Sequence, residues 1–404
     1  MKIAGIVCEY NPFHNGHLYQ IEKIRQEFGD DTNIVAVMSG NYVQRGGVAI
    51  ADKGVRAKCA VLSGVNLVLE LPFPFSMASA EYFARSAVHI LSEIGCVDYI
   101  SFGSESGNLA DLESAAELML KEEFLPMLDS LSDDPKYKKL GHAALCEIAL
   151  SKLSEGKNAV TLSPNNILAI EYIKAVKSLN SNLKLHTVKR EFNSFSDESF
   201  VPGNIQSATA IRKSIADKDI SALEFIPNIT KNTILDAIST GDFPCENEKL
   251  SSAIIASLRL DLPSFLEDIH DTNGGLYNRL RELSFKANTI ESLICAAESK
   301  NFTRARIRRS LFCSLLGVTS SQFKELPAYT QMLSCDFRGR AMLKTIGKHS
   351  SFPVLTKPSD FEKLPPLALP QKEISDKADS IFQMTKPTPK DGNSGLRFTP
   401  YVKK

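Results

Sequence analysis

The stretch Ile3-Ala4-Gly5-Ile6-Val7-Cys8-Glu9-Tyr10-Asn11-Pro12-Phe13-His14-Asn15-Gly16-His17-Leu18-Tyr19-Gln20 opens as a short apolar run. That run reads as a buried strand, the Asn11-Pro12 pair breaks it, and helical spacing starts near His17. Two histidines flank a glycine in the turn between strand and helix. In an open parallel sheet such a turn lies at the carboxyl edge of the strands, where ligands bind. Histidine supplies charge-assisted donors, glycine lets the backbone come close, and a helix N-terminus favours negative charge. The combination suits a nucleoside triphosphate; the competing reading of His-x-Gly-His is an ordinary loop.

Outward from this turn the chain alternates. Strands are expected at residues 34–38, 66–71, 99–102 and 183–188, and helices at 17–28, 52–63 and 79–94. Repeated strand–helix units of this size imply a parallel sheet covered on both faces. The fold class is therefore α/β, a Rossmann-like doubly wound parallel sheet over residues 1–220, with 109–157 as a helical insertion or long crossover. Residues 221–404 lose the alternation and read as a helix-rich C-terminal domain ending in a mobile, proline-containing tail.

The whole-chain numbers exclude some classes. At 404 residues with 43% hydrophobic and 23% charged residues, this is an ordinary globular composition with room for two domains. Net charge is zero, so attraction to nucleic acid must be local. Eight scattered cysteines without a C-x-x-C pair suggest reduced thiols, not zinc ligands, and no metal site is expected. Without a signal peptide or an apolar run of membrane length, a cytoplasmic location is expected. Between Ser299 and Lys348 there are ten Lys or Arg against two acids, with Arg304, Arg306, Arg308 and Arg309 on one helical stretch. This is the candidate surface for a phosphate backbone, although such helices are often only solvated faces.

Several other positions can carry chemistry. Ser207, Thr209 and Arg212 mark a second helix start able to hold an anion. Gly103 follows a strand and permits close approach to a base or ribose. Asn165, Asn166 and Arg190 fall at strand or helix ends. The loop containing Ser39, Gly40, Asn41 and Arg45 follows the second strand and should face the same crevice, where Arg45 can hold a carboxylate or phosphate. Asp52, Lys53, Arg56 and Lys58 on the next helix read as solvent-facing charges.

The strand, the H-x-G-H helix start and the distal S-x-T-x-I-R helix start together resemble the HIGH-type nucleotidyltransferase superfamily. Segments 7–17, 38–46, 102–107, 163–172 and 207–212, with 302–317 and 337–357, more closely resemble bacterial tRNA(Met) cytidine acetate ligase. The resemblance implies that ATP and acetate form acetyl-adenylate, whose acetyl group passes to the exocyclic amine of the wobble cytidine of elongator tRNA(Met), giving N4-acetylcytidine. It implies an ATP loop on Val7 through Gln20, with His14 and His17 in the catalytic positions. Gly103, Asn165 or Asn166, and Arg190 are its further nucleotide contacts. ATP, with magnesium, is a substrate and not a tightly held cofactor. Residues 191–197 depart from the family by lacking a Tyr-His after the Arg.

Two rivals remain from the sequence. One is a nucleotidyltransferase making a small activated molecule or cofactor, against which the long basic helical half argues. The other is a non-catalytic RNA-binding protein, against which the intact His14, Gly16, His17, Thr209 and Arg212 argue.

Overall fold

Five parallel strands form the centre: β1 (Ile3–Cys8), β2 (Asn33–Ser39), β3 (Leu67–Leu71), β4 (Tyr99–Ser104) and β5 (Lys184–Lys189), in the order β3-β2-β1-β4-β5. Ile3 lies beside Asn33 on one side of β1 and Ala4 beside Tyr99 on the other. The strand order reverses at β1, so a crevice opens between the carboxyl ends of β1 and β4. The computed structural model describes residues 2–157, 160–190, 206–217, 219–262, 268–394 and 398–403.

Period-two patterning explains why both faces are covered. Ile34, Ala36 and Met38 of β2 point to one side, with Ile21 and Ile24 of α1 (Asn15–Phe28) and Ala57 and Ala60 of α2 (Lys53–Leu62). Val35 and Val37 point to the other, packed with Phe83 and Leu91 of α3 (Ala80–Glu93). The segment expected to be a helical insertion forms α4 (Leu109–Leu120), α5 (Phe124–Asp133) and α6 (His142–Leu153). Next, α7 (Pro164–Ser178) packs on α3, and α8 (Ala208–Ala216) follows β5. The loop expected at 192–206 lies almost wholly outside the described residues, as does the departure at 191–197.

The second half begins with α9 (Asn228–Ser239), α10 (Ser251–Arg259), α11 (Leu276–Ser284), α12 (Ile290–Ala297) and α13 (Arg304–Leu316). It is not helical throughout. β6 (Thr330–Cys335) adds antiparallel to β3, and after α14 (Phe337–His349) the short β7 (Val354–Leu355) pairs with β6. The end of the chain also departs from the expected mobile tail. α15 (Ala368–Phe382) is followed by β8 (Tyr401–Val402), whose residues pair with Ser334 and Cys335. The physical reason is that edges need partners: β6 covers the open edge of buried β3, and β8 pairs with the other side of β6.

Candidate active site

The turn after β1 is held from four directions. Arg56, only 1% exposed, donates to the carbonyls of Glu9 (2.6 Å), Ser39 (3.1 Å), Ala51 (2.9 Å) and Gly40. Asn11 accepts from the Ile50 amide at 2.7 Å, and Arg212 donates to the Asn11 carbonyl at 2.7 Å. Gln20 reaches from α1 to the Ser101 carbonyl on β4 at 3.4 Å. Tyr10 and Phe13 pack edge-on, 4.7 Å apart, under His17.

His14 occupies the N-cap of α1, and the two histidines complete a reciprocal capping box. The Gly16 amide donates to His14 Nδ1 (3.1 Å) and the His14 amide to His17 Nδ1 (3.2 Å), while the rings stack at 3.7 Å. Burial, with Arg190 and Arg212 nearby, pushes His14 down to about 3; burial, His14 and Arg190 push His17 down as well. Both rings are thus neutral near pH 7. Because each Nδ1 accepts a hydrogen bond, each proton sits on Nε2, which is left to donate. The charge-assisted donation expected from the sequence becomes donation by neutral rings.

Across the crevice, Gly103 packs against Arg190: a Cβ there would stand 3.5 Å from Arg190 Cγ. Arg190 donates to Asn165 Oδ1 at 3.1 Å. Asn166 is directed inward, accepting from the Glu105 and Ser106 amides (2.9 and 3.2 Å) and donating to the Thr161 carbonyl. Glu105 in turn receives the Asn165 and Asn166 amides at the start of α7. Of the two asparagines, Asn165 is the one tied to Arg190, whereas Asn166 shapes the β4 turn. At the start of α8, Ser207 accepts from the Ala210 amide at 3.1 Å, and Arg212 donates to Thr209 Oγ1 at 3.1 Å. The residues expected around the phosphates, His14, His17, Arg190 and Arg212, lie together: both arginines are close enough to depress His14.

The loop after β2 folds back through Val43–Gly47 backbone bonds. The Gln44 amide donates to Glu9 Oε1 at 2.8 Å, which ties the loop to the end of β1. Arg45 shares the field of Glu9 and Arg308. Gly46 sits at φ 84° against α13, where a Cβ would lie 2.6 Å from the Arg309 nitrogen. Ser39 is fully buried and Gly40 presses on Glu70. Asn41 points away from the crevice, donating to Asp379 and accepting the Lys53 amide. Asn41 thus shapes the loop and does not reach a ligand in it.

Two expectations need correcting. Lys53 and Arg56 are not solvent-facing: they are 3% and 1% exposed, and they hold the loops of the site. Their trace in the sequence is that Lys53 and Arg56 share one helix face with Ala57 and Ala60, at i, i+3, i+4 and i+7. The basic stretch on α13 is also less free than its composition suggests. Arg304 pairs with Glu291 and Glu298, Arg306 donates to the Asp271 and Asn273 carbonyls, and Arg309, 8% exposed, pairs with Asp271. Arg308 is the least engaged, 4.0 Å from Glu291.

Comparison with known proteins bears on this geometry. The HIGH nucleotidyl transferase family profile matches residues 1–395. A tRNA(Met) cytidine acetate ligase from a Thermoanaerobacter species is 38% identical over 382 residues, 93% of each chain. One from Acetivibrio thermocellus is 35% identical over 99% of each. The crystal structure of Thermotoga maritima TmcAL bound with alpha-thio ATP superposes with a TM-score of 0.90 at 29% identity, covering all of both chains. Its apo form gives 0.92 at 30% identity. By profile, identity and fold, the chain belongs to the HIGH nucleotidyl transferases, within the family of tRNA(Met) cytidine acetate ligases.

Proposed function

We propose that the chain activates acetate with ATP and acetylates the wobble cytidine of elongator tRNA(Met). The supporting observation is the pair of neutral histidines at the N-terminus of α1, each with Nε2–H left to donate, beside Arg190 and Arg212. A carboxylate oxygen of acetate attacks the α-phosphorus of ATP, and the bond to the bridging oxygen breaks with release of pyrophosphate. The exocyclic amine then attacks the acetyl carbonyl, AMP leaves, and the amine loses a proton. The histidines and arginines meet charge that grows on the transferring phosphoryl oxygens, and fixed donors of this kind contribute about 3 kcal/mol each.

In this reading Arg45 and its loop face acetate, Gly103 and Asn165 line the nucleoside side, and Arg190, bonded to Asn165, reaches from there toward the phosphates. Magnesium would be carried by the phosphate oxygens, since Glu9 and Glu105 already hold backbone amides. The tRNA would lie along the helical half, with Arg308 as its nearest cation to the crevice and Arg304, Arg306 and Arg309 shaping that surface. A cytidine in an anticodon loop is unstacked cheaply, which suits a crevice reader. Among the described residues no helix is long and apolar enough to cross a membrane; the cytoplasmic location is part of this proposal and follows from its tRNA substrate.

The test supplies ATP, labelled acetate and bulk tRNA. Acetylated cytidine is the expected product; acetate-dependent pyrophosphate exchange without tRNA labelling leaves only the first half, and no exchange overturns the reading.

A further inference from the structure

Away from the phosphate turn, three ionisable groups from distant parts of the chain meet in the interior. Lys53 Nζ at the start of α2 lies 2.9 Å from both Glu70 oxygens on β3 and 2.6 Å from Asp379 Oδ2 on α15. All three are less than 9% exposed. Burial alone would strip the Lys53 proton, but Asp379 and Glu70 more than offset it and hold the ammonium above its usual range. Two carboxylates against one ammonium is more charge than a core needs, and apolar side chains of the same volume would be at least as stable. Such a cluster calls for a role besides stability.

The second oxygen of Asp379 shows where it acts. It accepts from Asn41 Nδ2 at 2.9 Å, while Asn41 Oδ1 accepts the Lys53 amide at 2.8 Å. Next along the loop, Tyr42 donates its hydroxyl to the Ala378 carbonyl at 2.9 Å. The loop therefore leaves β2, fastens twice to α15, and only then ties Gln44 to Glu9 and holds Arg45 in the field of Glu9 and Arg308. Gly40 is bare because Glu70 occupies the place its side chain would take.

We propose that Asp379 is a positioning residue for the acyl substrate: through Asn41 it sets the loop that carries Arg45, and so governs acetate and not ATP. This rests on the reading that the loop faces acetate. ATP is insulated from it because its contacts come from α1, β4, β5 and α8, none of which touches Asp379 through a side chain described above.

The test measures acetate-dependent pyrophosphate exchange in the full-length protein, with KM for acetate and ATP determined separately. Asp379→Ala raises the acetate KM by about tenfold to a hundredfold, the scale of a misplaced substrate group, and leaves the ATP KM within about twofold. Urea unfolding of Asp379→Ala checks that the variant is folded, and a cleft of about 400 Å3 adjoins its partners Asn41 and Lys53. Asn41→Ala keeps the ion cluster and gives the same acetate shift, and the double variant is no worse than either single one, since both cut one link. Asp379→Asn, which still can accept from Asn41, restores most of the affinity. Equal rises in both KM values, an unchanged acetate KM in folded Asp379→Ala, or additive single effects would each overturn the proposal. Arg45→Ala separates it from its premise: an unchanged acetate KM there overturns the loop reading itself, whereas a raised one beside an inert Asp379→Ala overturns only the positioning role.

Discussion

His14 and His17 are held in the same tautomer by backbone amides: one ring accepts the Gly16 amide and the other the His14 amide, both through Nδ1, with the rings 3.7 Å apart. The pair is at once the helix cap and the set of donors, so the cap and the chemistry are removed together. His14→Ala and His17→Ala are each expected to lower acetate-dependent pyrophosphate exchange by about a hundredfold or more. Loss of the His14 cap adds about 1 kcal/mol of destabilisation, read by urea unfolding. tRNA affinity, measured by filter binding, should stay within about twofold; a parallel collapse of tRNA binding would place the histidines in the RNA site.

The depressed histidines give the fold a pH dependence of defined sign. An unfolded His14 takes up its proton near pH 6.5, whereas the folded one resists until about 3. Stability is therefore complete above pH 6.5 and falls as pH drops through that window, by at most about 1.4 kcal/mol per unit for each such histidine. His17, His89, His186 and His270 are lowered in the same direction. His14→Asn should make the unfolding free energy less steep between pH 6.5 and about 4.5 without flattening it. An unaltered slope would mean that His14 titrates normally.

Arg190 and Asn165 form one hydrogen-bonded unit, which the proposed function sets against ATP. Arg190→Met should raise the ATP KM by about ten- to a hundredfold, the value of a charged hydrogen bond. Asn165→Ala, which only frees the guanidinium, should cost less, and the acetate KM should move little in either. A larger effect from Asn165 than from Arg190 would show that the amide, not the guanidinium, meets the nucleotide.

Neighbouring arginines on α13 should behave differently. Arg309→Ala leaves the half-buried Asp271 without its pair and should destabilise the fold by about 1–3 kcal/mol. Arg308→Ala should barely change the melting temperature but weaken tRNA binding and reduce the slope of log K against log salt by about 1. The opposite assignment of phenotypes would overturn the placement of the RNA along this helix.

The sheet and its phosphate turn were legible because their signals are local. The apolar run ending at Cys8, the Asn-Pro break and the H-x-G-H helix start lie within fifteen residues, and the strand–helix alternation set the parallel sheet. What escaped was whatever depends on distant partners. Thr330–Cys335 has no strong strand pattern of its own and becomes β6 because the edge of β3 is open. The α13 arginines looked like a free basic face because Asp271, Glu291 and Glu298 precede them by several turns. Lys53 and Arg56 looked exposed because nothing in their neighbourhood announces that Glu70, Asp379 and four carbonyls surround them.

Asn41 and Asp379 touch across 338 positions of chain. Synthesis runs from the amino end, so the residues proposed to meet ATP, His14 through Arg212, have been made long before α15 exists. A growing chain can thus shape the crevice at the end of β1 while the loop after β2 still lacks its anchor. Under the proposed function the two substrates would be served by parts of different age: ATP by the early chain, and acetate by a loop whose final form waits for α15.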